Sequence, residues 1–111
     1  MAGKEGLPDC NVATTVQVVG GKWKLLVLRN LRARPWRFNE LRRDLEGISQ
    51  KVLAETLHAL EDDGIVARTV FDEVPPHVEY SLTERGEGLR PVIEAMENWG
   101  RSYKESLERE K

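Results

Sequence analysis

One cysteine, two histidines and no apolar run long enough to cross a bilayer narrow the reading of this sequence before any motif is considered. A single thiol cannot build an internal disulfide framework, so stability has to come from a hydrophobic core. His58 and His77 have no cysteine at ligand spacing, which argues against a zinc site. Aromatic residues are scarce, at 6%. Trp23, Trp36 and Trp99 lie beside apolar helical positions and read as core or interface packing rather than as a ligand cage. No phosphate-cradling glycine loop and no nucleophile with a spaced acid or base is visible. No enzymatic chemistry, metal or cofactor is therefore expected. Residues Met1 to Pro8 lack the apolar core of a secretory signal, and the cytoplasm is the expected compartment.

What is present suits one folded domain over residues 1–111, with a core at about 11–83 and a terminal helix at about 84–110. Hydrophobic residues make up 40% and charged residues 32% of the chain. The net charge of -2 hides an asymmetry. From Lys22 to Lys51 nine lysines and arginines face three acids, a net +6, whereas residues 52–111 carry seven basic and fourteen acidic side chains. Remote charges are screened beyond about 8 Å, so the basic half can meet phosphates even in an acidic protein. Charge alone suits a solvated, salt-bridged face equally well.

Apolar spacing orders the elements. Val12, Val16 and Val19 form one stripe after Asp9 and Asn11, either of which can cap a short helix. Gly20-Gly21 ends it, and Lys22 to Ala33 reads as a second helix, apolar over much of its circumference and stopped by Pro35. Phe38, Leu41 and Leu45 mark a third, with Arg42 and Arg43 outward and Gly47 closing it. Ser49 is placed to cap a fourth, Gln50 to Asp63, with Leu53, Leu57 and Leu60 inward and Lys51, Ala54, Glu55 and His58 outward. Runs from Ile65 to Phe71 and from His77 to Leu82 flank Asp-Glu-Val-Pro-Pro as a β-hairpin, and Trp36 is a candidate for a short first strand. Thr83 caps a last long helix with Leu89, Val92, Met96, Trp99 and Tyr103 on one stripe and a kink expected at Pro91.

A buried helix, two short helices joined by a tight turn and an immediate hairpin give an α+β, mostly helical class: a winged helix-turn-helix. In that arrangement the helix after Ser49 enters the major groove of double-stranded DNA, the preceding helix crosses the backbone and the hairpin reaches neighbouring phosphates or the minor groove. The candidate contacts are Arg37, Asn39, Arg42 and Arg43 before the turn, Ser49, Gln50, Lys51, Ala54, Glu55 and His58 on the fourth helix, and Arg68 and His77 on the hairpin.

The residues also carry a resemblance. Gly-Gly-Lys-Trp at 20–23, Arg-Phe-Asn-Glu-Leu-Arg-Arg at 37–43 and Gly-Ile-Ser-Gln-Lys at 47–51 resemble the HxlR-type, MarR-like bacterial regulators. So do Leu-Glu-Asp-Asp-Gly-Ile-Val at 60–66, Glu-Val-Pro-Pro-His-Val-Glu-Tyr-Ser-Leu-Thr at 73–83 and Trp99-Gly100. The resemblance implies a dimeric winged helix-turn-helix with terminal dimerisation helices that represses or activates neighbouring genes from paired half-sites. It also implies a cysteine at the position of Cys10, which some members use to sense electrophiles or oxidants. The chain departs from the pattern at His77 and His58, where a stronger cation is common, and at Asn11, where proline often follows the cysteine.

Cys10 precedes the first helix, where exposed amides favour the thiolate. It reads either as a regulatory thiol, leaving room for a small-molecule or oxidant effector, or as a residue packed in a dimer interface. Helices two to four already enclose a core, so the stripe Val92, Met96, Trp99 and Tyr103 needs a partner, which a homodimer through that stripe and Val12 and Val16 supplies. The rival class is a winged helix that binds protein and not DNA; the polar face of Gln50, Lys51 and His58 favours DNA.

Overall fold

The computed structural model describes residues 6–110. Residues 1–5, on which part of the leader reading rests, and Lys111 lie outside the description. The element order is α1 (Asn11–Val19), α2 (Lys22–Ala33), β1 (Trp36–Arg37), α3 (Phe38–Asp44), α4 (Gln50–Asp62), β2 (Val66–Phe71), β3 (His77–Leu82), α5 (Glu84–Glu87) and α6 (Arg90–Arg109). Leucine spacing on α2, α3 and α4 builds the core. Val27, Leu28 and Leu31 meet Leu41 and Leu45 from α3 and its end, Ile48 from the turn, and Leu53, Leu57 and Leu60 from α4. Ile65, Val66 and Tyr80 close it from the sheet, and Ile93 from α6.

The tight turn between α3 and α4 depends on Gly47, whose φ of +91° is a conformation that side-chain-bearing residues rarely adopt. Two residues on, the Ser49 hydroxyl accepts from the Val52 amide at 3.0 Å and starts α4. The strands form an antiparallel sheet in the order β1-β3-β2. Trp36 pairs with Tyr80 and Arg37 with Glu79, so the short strand anticipated at Trp36 exists and ties the start of α3 to the hairpin. Among the described residues no helix is long and apolar enough to cross a membrane.

Two expectations are corrected. Neither Asp9 nor Asn11 caps α1: Cys10 occupies the N-cap position without a side-chain cap bond, and Asn11 is the first helical residue. The long helix after Thr83 is two helices. Thr83 caps only the four-residue α5, its hydroxyl accepting from the Gly86 amide, and α6 begins afresh at Arg90. Pro91 produces no kink, because it lies in the first turn of α6, where its missing amide proton would have had no helical partner. A Cβ at Gly86 would collide with the Ile65 carbonyl, so this short helix sits flush on the strand entry.

Candidate nucleic-acid interface

α4 presents Gln50, Lys51, Ala54, Glu55 and His58 to solvent while Leu53, Thr56, Leu57 and Leu60 are buried. The outward face is polar along its length. Lys51 Nζ lies 4.0 Å from Glu55 and His58 Nε2 lies 3.5 Å from Asp62, each one turn along the helix. All four side chains are largely exposed, so these pairs are weak and their members can exchange partners.

α3 precedes α4, packs with it through the shared leucine core, and has Arg42 and Arg43 exposed. Among the described residues neither of them, nor Arg37 or Arg68, forms an ion pair, which leaves four arginines for an external anion. The acid nearest the start of α3 is already engaged. Glu40 accepts from the Arg37 amide at 2.9 Å and pairs with Arg34 at 3.4 Å. These bonds, first the backbone one and then that to Arg34, hold the Glu40 carboxyl below its ordinary range and keep it ionised on the body of the protein. Arg37, Asn39 and Arg43 share a concavity of about 440 Å³ with Phe38, Glu40, His77 and Val78, so the base of the wing and the start of α3 form one surface.

The wing itself is less basic than a phosphate-gripping one. Arg68 is exposed on β2, but the tip, Asp72 to Pro76, is acidic and apolar, and Val74 is fully exposed. His77 is the sequence-derived candidate that the structure does not present to solvent. Its ring stacks on Phe71 with centroids 4.7 Å apart, and its nitrogens lie 3.1 Å from Glu79 and 3.6 Å from Glu73. With its side chain 15% exposed and flanked by two carboxylates, it braces the hairpin. Spacing along the strand cannot reveal this, because the second carboxylate comes from the tip.

Apolar side chains are also exposed on α1 and on α6. Cys10, Val12 and Val16 are exposed on and just before α1; Met96, Trp99 and Tyr103 are exposed on α6, and Val92 is half-buried. Trp99 and Tyr103 stack at 5.2 Å, and Leu107 extends the stripe by one further turn. Its i+4 spacing from Tyr103 is the sequence signal that would have found it. α6 is held to the body by buried Ile93 and by an Arg32–Glu97 bridge of 2.8 Å. That hydrogen bond moves both groups further into their charged range, Arg32 upward and Glu97 downward. Among the described residues no group of three histidine, cysteine, aspartate or glutamate side chains is placed to hold a metal ion.

A recognition helix with an open polar face, a preceding helix with free arginines and a two-stranded wing at its base define a winged-helix DNA-binding transcriptional regulator. The chain belongs to the HxlR-like helix-turn-helix family, whose model matches residues 18–108. It is 46% identical over 100 residues to the HTH-type transcriptional regulator YdeP of Bacillus subtilis (90% of this chain, 78% of that protein). It is also similar to the solved structure of the redox regulator HypR in its reduced form, with a TM-score of 0.83, 45% identity and coverage of 90% of this chain and 99% of that one. The reduced form of the transcriptional regulator YodB from B. subtilis aligns with a TM-score of 0.73 at 38% identity, covering 81% of this chain and 89% of that one.

Proposed function

We propose that this regulator binds DNA as a homodimer on a pseudopalindromic site, joined through α1 and α6, and that Cys10 makes its binding responsive to electrophiles or oxidants. The observation that carries the dimer is the apolar stripe of α6. Trp99 is 67% exposed and Tyr103 51%, next to a concavity of about 530 Å³ lined by Val92, Ala95, Met96 and Trp99. Large aromatic groups in contiguous exposed patches mark interaction sites. Val12 and Val16 on α1 provide a second apolar strip. In such a dimer α4 lies in the major groove and contributes Ser49, Gln50, Lys51, Ala54, Glu55 and His58. Arg37, Asn39, Arg42, Arg43 and Arg68 meet the backbone. Sedimentation tests the assembly: wild type sediments as a dimer and Trp99→Glu as a monomer, whereas a wild-type monomer at micromolar concentration contradicts it.

The thiol reading is supported by the exposure of Cys10 at the N-cap of α1 and by the similarity to HypR, a redox regulator solved in oxidised and reduced forms. Since the chain has no second cysteine, oxidation joins Cys10 to the thiol of another subunit or to a small thiol. Treatment with an electrophile such as a quinone changes the operator affinity of wild type and leaves Cys10→Ala unaffected. Equal responses of the two proteins discard the sensing role.

A further inference from the structure

Asp44, the second acid of α3, is held in a closed triangle on α2. Asn30 Nδ2 donates to Asp44 Oδ2 at 2.7 Å, Arg29 Nε donates to Asn30 Oδ1 at 3.0 Å, and Arg29 Nη2 lies 3.7 Å from the same Asp44 oxygen. Asn30 is 6% exposed among Val27, Leu28 and Leu31, where an amide is costly unless both of its ends are bonded. Both are: the carbonyl faces the cation and the amino group faces the anion. The backbone carbonyl of Asn30 also accepts from Trp36 Nε1 at 2.9 Å, so one turn of α2 holds β1 as well as the far end of α3.

The angular arrangement matters. At about 100° per residue, with Leu41 at zero, Leu45 falls near 40°, Asp44 near -60°, Arg42 near 100° and Arg43 near 200°. Two leucines pin α3 inward on one side of that seam; on the other, Glu40 near -100° pairs with Arg34 at the start of the helix, and Asp44 holds its far end. We propose that Asn30 and Asp44 are positioning residues for DNA binding: their clasp fixes the rotation of α3 and so directs Arg42 and Arg43 at the phosphate backbone. The proposal rests on α3 being a backbone-contacting helix.

Asp44→Ala and Asp44→Asn remove the same charge, but only the asparagine variant keeps an acceptor for Asn30 Nδ2. Each variant is titrated with a labelled mixed-sequence DNA duplex at several salt concentrations. Asp44 is half exposed, but Asp44→Ala leaves the buried Asn30 Nδ2 without its acceptor and so melts lower than Asp44→Asn; circular dichroism melting sets a titration temperature at which both variants are folded. Asp44→Asn retains the wild-type slope of log K against log salt, and in Asp44→Ala the slope falls by about 0.9 for each phosphate no longer neutralised. If Asp44 acted through its charge alone, the two variants would bind alike and more tightly than wild type. Equal slopes in the two variants overturn the proposal. Arg42→Ala and Arg43→Ala separate the layers: if neither lowers the slope, the backbone-contacting reading of α3 falls and the clasp with it. If either does while Asp44→Ala does not, only the clasp falls.

Discussion

Lys51 stands in the first turn of α4 with its side chain 85% exposed, and its ion-pair partner among the described residues, Glu55, is 4.0 Å away on the same face. A pair this open contributes little to folding, so the ammonium can leave it for a phosphate without loss of stability. Lys51→Ala therefore leaves the melting temperature nearly unchanged and lowers the salt slope of DNA binding by about 0.9 for the one phosphate it ceases to neutralise. An unchanged slope, measured by anisotropy titration, removes Lys51 from the backbone contacts. Most candidate contacts were legible in the sequence because they follow from α4's periodicity: once Leu53, Leu57 and Leu60 turn inward, Gln50, Lys51, Ala54, Glu55 and His58 must face out. His77 and Asn30 were not. The first looked like a wing contact and the second like an ordinary position on a core helix, and what decides each is a partner distant in sequence or lying on a loop.

At the scale of elements, α6 is a 20-residue lever of about 30 Å, held near its start by Ile93 and the Arg32–Glu97 bridge. Glu97 titrates below its ordinary value of 4.5 when folded, chiefly because Arg32 donates to it. Its contribution to stability is thus fully present above about pH 4.5 and is lost as the pH falls through the lowered value. Denaturation of wild type and Glu97→Gln from about pH 6 to about pH 3 checks this. The difference between them is constant in the upper part of that range and closes toward its acidic end; a difference that widens on acidification contradicts the linkage. Helices, hairpin and the small strand at Trp36 were readable from periodicity and turn residues. The division at Leu89 was not, because leucine and valine spacing runs through it unbroken. The first-turn position of Pro91 fits a restart, since a proline in the interior of one continuous helix would clash with the carbonyl four residues back.

For the whole molecule, the charge asymmetry seen along the sequence becomes spatial. Arg37 and Arg43 share the concavity at the start of α3, Arg42 and Arg68 are exposed on α3 and β2, and the acidic second half of the chain supplies the wing tip and α6. The negative total therefore describes the protein's average and not the surface proposed to meet DNA. A dimer through α1 and α6 sets the two recognition helices apart by a distance that the operator must match, about 34 Å for half-sites one helical turn apart. The most direct measurement is selection of bound sequences from a random DNA pool by the full chain, followed by sequencing of the enriched duplexes. The account predicts an inverted repeat whose half-site centres lie about one turn, roughly 10 to 10.5 base pairs, apart. Enrichment of a single unpaired half-site, or no enrichment at all, would contradict it.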